Sequence, residues 1–115
     1  QVNRQMNQQM VDQALQLLNL QDNETVLDLF CGLGNFSLPM AQKAHSVLGV
    51  EGAASMVTQG ERNAKYNHLD NVNFVAYDLT QSLSSAAWSK QTFDKIVLDP
   101  PRSGAETVVS QLQCF

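Results

Sequence analysis

Two glycines one residue apart, Gly32 and Gly34, follow an apolar run (residues 26–30) and precede a helix-like stretch from Phe36. Glycine has no Cβ, so backbone there can approach a ligand closely and take positive φ. N–H groups at the start of the next helix face the same space. Three acids come later, each at or just past the end of an apolar stretch: Glu51, Asp78 and Asp99. A carboxylate has two accepting oxygens. Glu51, about 20 residues past the turn, is placed to accept both hydroxyls of a ribose, or is a surface glutamate in a turn. Asp78 can accept from the exocyclic amine of an adenine, or cap a helix. Asp99 is aimed at a bound cofactor or a reacting centre.

Nucleophiles and metal ligands are scarce. Cys31 lies inside the glycine turn and Cys114 near the end. Two cysteines make neither a disulfide framework nor a metal quartet. Cys31 reads as a small buried residue, and both are poor nucleophile candidates. His45 precedes a strand and His68 follows a helix, with no Cys or second His nearby, so no metal site is expected. A net charge of −4 gives no phosphate-binding face of its own. The 115 residues, 43% hydrophobic and 16% charged, suit one small globular domain. No apolar run is long enough for a membrane helix. The start, QVNRQ, has no signal-peptide apolar region and no initiator methionine. With the finish at QLQCF, the chain reads as a piece of a longer protein.

The elements that must position these residues follow from periodicity. Residues 1–20 have helical spacing, with an apolar stripe of Met6, Met10, Ala14 and Leu18 flanked by Val11 and Leu15. The seven glutamines among the first 21 residues lie mostly on the other face. Strands are expected over residues 26–30, 46–50, 72–76 and 93–99. Residues 53–67 read as a helix with Ala53, Val57, Gly60 and Ala64 toward the sheet. Residues 81–91 are polar and Ser-rich, a short helix or loop in which Trp88 is a packing anchor. The fourth strand runs into Pro100-Pro101, a rigid corner, and residues 105–112 begin another helix. The alternation of strand and helix predicts an α/β fold built on a parallel sheet.

A dinucleotide turn reads G-x-G-x-x-G. Gly32 and Gly34 fit, but the third position is Ser37, which argues against NAD and leaves a nicotinamide dinucleotide-binding domain as an alternative. The string D-x-F-C-G-x-G-x-F, residues 28–36, resembles the first motif of S-adenosylmethionine-dependent methyltransferases instead. Joined to QVN at the start and LDPPRSG at residues 98–104, it resembles the RNA uracil-5-methyltransferases. The likeness is closest to the iron–sulfur type that acts on 23S rRNA. The tRNA uracil-5-methyltransferases share DPPRSG but match the glycine turn less well, and stand as the other alternative.

The resemblance covers all 115 residues. It implies part of a Rossmann-like class I methyltransferase fold, four parallel strands ordered 3-2-1-4 with helices on both faces: the cofactor-binding half, residues 1–115, of an enzyme that methylates C5 of a uridine in 23S rRNA. By position it implies cofactor contacts at Gln1, Phe30, Asn35, Glu51, Asp78 and Asp99, beside Gly32 and Gly34. Gln1 rests on the resemblance alone, and position 78 varies in the family between Asp and Asn. Asn35 suits the methionine carboxylate, and Asp99 the methionine ammonium or the sulfonium charge. In the family the nucleophile is a cysteine of an S-C-N-P motif after a fifth strand. The base is a glutamate near the carboxyl terminus. Neither motif occurs in these residues, so no catalytic residue is expected here. The RNA-binding barrel and the cluster-ligating cysteines are expected outside the chain. So are the contacts with 23S rRNA. A cytoplasmic location, no membrane and no obligate protein partner complete the expectation.

Overall fold

The computed structural model describes residues 2–98, with side chains from residue 8 onward. Four parallel strands form one sheet: β1 Thr25–Leu29, β2 Ser46–Glu51, β3 Val72–Ala76 and β4 Lys95–Leu98, in the order β3-β2-β1-β4. This is the order read from sequence. Gln1, Asp99, the proline corner, the helix expected over 105–112 and Cys114 lie outside the described residues.

Strand β1 is the centre of the core. Val26, Leu27 and Leu29 are 0% exposed and Asp28 is 1% exposed. Successive side chains point to opposite faces. Val26 joins Met40, Ala41, Val57, Ala64 and Phe74 on one face. Leu27 and Leu29 join Leu48, Val50, Leu83 and Trp88 on the other. Three helices, α1 Val2–Leu18, α2 Ser37–Ala41 and α3 Ala54–Tyr66, all contribute to the first cluster. Helices were expected on both faces. Among the described residues the second face is covered by two 3₁₀ turns, Leu83–Ser85 and Ala87–Lys90. That segment has too few apolar residues for an amphipathic helix, so each turn inserts a single anchor, Leu83 or Trp88, both buried. Trp88 meets Tyr77 edge-on, centroids 5.8 Å apart.

The stripe of α1 also differs from expectation. Val11 is buried and Ala14, Leu15 and Leu18 are half-buried, whereas Met10 is 58% exposed. A spacing of four overshoots the 3.6-residue turn, so a stripe drawn through every fourth residue drifts off the contact. The expected inward face of α3 holds: Val57, Gly60 and Ala64 are buried. His68 has φ of 58°. Its N–H donates to Lys65 and that of Leu69 to Ala64, a Schellman closure with histidine in the left-handed position. Asn71 closes α2 by donating to the carbonyls of Ala41, Ala44 and His45. Lys95 donates to the carbonyls of Leu18, the last residue of α1, and of Asn19 just past it, and to Glu24 at 2.9 Å. Glu24, in the turn before β1, is thereby tied to Lys95 of β4 and through it to the end of α1.

One ring organises the helical face near the glycine turn. A Cβ added at Gly34, Gly49 or Gly60 would lie 3.0, 2.9 or 3.0 Å from an atom of Phe74. Three segments thus give up a side chain to seat one phenylalanine.

Candidate functional site

The chain leaves β1 through a strained corner. Phe30, expected to end the strand, has φ of 60°, a region few non-glycine residues occupy and one that clusters at functional sites. The corner is held by the Cys31 N–H donating to Val50 on the neighbouring strand at 3.1 Å. The Gly34 N–H then donates to Cys31 and that of Leu38 to Gly34. Phe36 is the residue before α2, and no side chain caps that helix.

Gly32 and Gly34 both have positive φ, 57° and 94°, but they face different surroundings. A Cβ on Gly32 would meet only the Met56 sulfur, at 4.0 Å. A Cβ on Gly34 would strike the Phe74 ring. Gly32 therefore opens outward, and Gly34 is required by the core.

Glu51 at the tip of β2 reaches back to the turn. Its Oε1 accepts from the Gly32 N–H at 3.1 Å and its Oε2 from the Ala53 N–H at 3.0 Å. Each oxygen keeps a second acceptor position. Behind the turn, Asp28 accepts from the Ser37 hydroxyl at 2.5 Å, with both residues at 1% exposure or less. Sequence reading noted Asp28 as part of a motif and Ser37 as the position of a missing glycine. The spacing of nine residues carried no sign that the two would pair. Cys31 lies between the acids. Burial, then the charges of Asp28 and Glu51, push its thiol up to about 12. It is an unreactive packing residue, as expected.

Phe30, Gly32 and Asn35 line one cavity of about 260 Å³, walled by Met10 and Val11 of α1. Among the described residues, no Lys, Arg or His lines it. Gly34 and Asn35 also line a groove between α2 and α3. A larger cavity, about 570 Å³, lies by the ends of helices α1 and α2, lined by Asp12, Asn19 and Lys43; it shares no residue with the turn. Asp78 is exposed, two residues past Ala76, which pairs with Glu51. Its Oδ1 accepts from the Thr80 hydroxyl at 2.6 Å and the Thr80 N–H at 3.0 Å, and these bonds hold its carboxyl below the usual 3.8. The local turn thus uses the acid in the capping manner, although no α-helix follows it among the described residues. Phe30, Gly32, Gly34, Asn35 and Glu51 are brought together; Gln1 and Asp99 lie outside the described residues.

A parallel 3-2-1-4 sheet with an outward glycine turn after β1 and an acid bonded to it from the tip of β2 is the arrangement of class I S-adenosylmethionine-dependent methyltransferases. Solved structures agree on the fold. A dimethyladenosine transferase from Plasmodium falciparum superposes with a TM-score of 0.79 at 16% identity, over 92% of this chain and 36% of that one. The Pyrococcus abyssi tRNA (uracil-54, C5)-methyltransferase in complex with S-adenosyl-L-homocysteine superposes with a TM-score of 0.73 at 23% identity, over 93% of this chain and 25% of that one. The sequence model of the tRNA (uracil-5-)-methyltransferase family matches residues 1–114, and the chain belongs to that family. Among curated relatives, the 23S rRNA (uracil(1939)-C(5))-methyltransferase RlmD of Haemophilus parainfluenzae is 53% identical, over 97% of this chain and 26% of its own length. That of Vibrio cholerae is 54% identical, over 100% of this chain and 26% of its own length. The chain spans about a quarter of the length of these relatives.

Proposed function

We propose that this chain is the cofactor-holding half of an enzyme that transfers a methyl group from S-adenosylmethionine to C5 of a uridine in 23S rRNA. The observation that carries the reading is Glu51, fixed by the Gly32 and Ala53 N–H groups with an acceptor position left on each oxygen. It stands beside the one glycine of the turn that opens outward. The residues fit the ligand: a doubly accepting acid suits the two ribose hydroxyls, and Gly32 leaves room for close approach. The relatives' names and their identity of more than half support 23S rRNA as the substrate.

When bound, S-adenosylmethionine supplies a methyl group made electrophilic by its sulfonium. The chain's own contribution is binding and orientation. Phe30 and Asn35 line the cavity where the methionine end fits. Glu51 holds the ribose. Asp78 accepts at the adenine edge, with lone pairs Thr80 leaves open. Asp99 and Gln1 belong to the same reading on resemblance. Uridine C5 becomes nucleophilic only after a thiolate adds at C6, and Cys31, held neutral at neutral pH, is unsuited to that. The nucleophile, the base, the RNA-binding barrel and an iron–sulfur cluster are assigned to the remaining length of the protein, and its action to the cytoplasm, on the resemblance.

The test is calorimetry on the full-length protein with S-adenosylhomocysteine and with NAD, joined to transfer of labelled methyl to unmodified 23S rRNA. Tight binding of the first ligand and labelling of a uridine at C5 are expected. Tighter binding of NAD would overturn the reading.

A further inference from the structure

We propose that Asp28 and Ser37 are positioning residues that set the glycine turn for its ligand, at the place where a dinucleotide-binding turn uses a third glycine. The inference rests on the functional reading above. The two residues stand at the two ends of the turn, one inside β1 and one the first residue of α2. Both are excluded from water, and the Ser37 hydroxyl donates to Asp28 Oδ2 at 2.5 Å.

The turn needs such an anchor. Helix α2 has five residues and no side-chain cap at its start. A helix that short does not hold itself. On the outward side the Gly32 N–H is held by Glu51, but a Cβ at Gly32 would meet nothing nearer than the Met56 sulfur at 4.0 Å, so side-chain packing does not press the turn into place from there. Main-chain bonds fix the corner of the turn at Cys31 and its interior at Gly34. The Asp28–Ser37 bond fixes its far end to the central strand. A third glycine would let the helix pack close beneath a pyrophosphate. Here a hydroxyl and a carboxylate occupy that position, and the carboxylate's charge is felt at Cys31, inside the turn. The turn is thereby held from beneath by a buried acid rather than left open for an anion.

Neither residue lines the cavity beside the turn, so their effect passes through the backbone of the turn. A shift of a fraction of an ångström there moves Gly32 and Asn35, which do line it. Misplacement on that scale is enough to change how a substrate is held. The effect falls on S-adenosylmethionine and not on the RNA.

The experiment uses the full-length protein with Ser37→Ala, Ser37→Cys and Asp28→Asn. Ser37→Ala is expected to raise KM for S-adenosylmethionine and Kd for S-adenosylhomocysteine about tenfold, with kcat and KM for rRNA within about twofold. Ser37→Cys, nearly isosteric with a weaker donor, should fall between it and the parent. Asp28→Asn keeps an acceptor for the hydroxyl and should change Kd less than about threefold. A Ser37→Ala protein with lowered unfolding temperature but unchanged KM and Kd would overturn the proposal, because the bond would then serve the core alone. Asp28→Asn losing as much as Ser37→Ala would overturn it too, by showing that charge and not bond geometry acts. Absence of S-adenosylhomocysteine binding by the unaltered protein strikes the functional reading instead.

Discussion

Replacing Gly49 by alanine tests the packing of the whole helical face. Gly49 is in the middle of β2, and its φ is not in the left-handed region, so an alanine there carries no backbone strain. Exchange for alanine in a strand ordinarily stabilises by about 0.5–1 kcal/mol through lost unfolded-state freedom. The added Cβ would lie 2.9 Å from the Cys31 sulfur and 2.9 Å from the Phe74 ring. Both neighbours are buried and neither is the far end of a flexible chain. Overpacking of this kind costs about 1–3 kcal/mol. Two buried contacts at 2.9 Å put the cost in the upper half of that range, about 2–3 kcal/mol, and a net loss of about 1–2.5 kcal/mol is expected. The assay is the opening free energy of β2 amides by hydrogen exchange in the intact protein, which isolates this region from other domains. Phe74→Leu should recover part of the loss when combined with Gly49→Ala, a coupling of at least about 0.5 kcal/mol. An alanine protein as stable as the original, or no recovery in the double variant, would refute the steric reasoning.

Three further outcomes are expected. Glu51→Ala should weaken S-adenosylhomocysteine binding by about 1.5–3 kcal/mol, the range for hydrogen bonds to a charged group, while Glu61→Ala on the exposed face of α3 leaves calorimetric affinity unchanged. Glu24→Ala, in contrast, should lower stability: its carboxyl is held below 4.5 by the Gln21 N–H and by Lys95, so its contribution is present above the ordinary carboxylate value and is lost as pH falls through the lowered one. Melting temperature against pH should therefore show a shallower acid limb in that variant. Cys31 should resist alkylation at pH 8 in the folded protein and react once it unfolds, as read by peptide mass; its raised value also predicts stability lost as pH rises from 9.0 toward about 12.

The strands and the inward face of α3 were legible because their patterns are local. Val26 to Leu29 is a continuous apolar run broken by one acid, the mark of a strand buried on both sides. Glu51 was legible because its distance from the turn is set by a strand–helix–strand unit of ordinary length. What escaped depends on contacts distant in sequence or on backbone state. The two glycines look equivalent in G-L-G, and only the position of Phe74, forty residues beyond Gly34, separates their roles. Phe30 gives no sequence sign of left-handed backbone, since aromatic residues seldom take it. Glu24 gives no sequence sign of its role because its partner, Lys95, lies 71 residues away on β4. Trp88 was legible as a packing anchor of residues 81–91, but Leu83, buried beside it, was not, because a lone leucine in a Ser-rich stretch carries no periodic signal.

The sheet register also fixes an order of events in folding. Strand β1 meets β2 across 21 residues, Thr25 to Ser46, but meets β4 across 69, Val26 to Lys95. Closing the longer loop costs about 1 kcal/mol more in chain entropy, and parallel pairings of this reach are slow. The glycine turn, Asp28 and Ser37 all fall inside the shorter closure, and Glu51 ends the strand that completes it. During synthesis the ligand-facing turn can assemble while β4 is still unpaired, leaving the β1 edge open until Lys95 docks against Glu24 and the end of α1. Pulse-labelled exchange during refolding should find β1 and β2 amides protected before those of β4; simultaneous protection would mean that the sheet closes in one step.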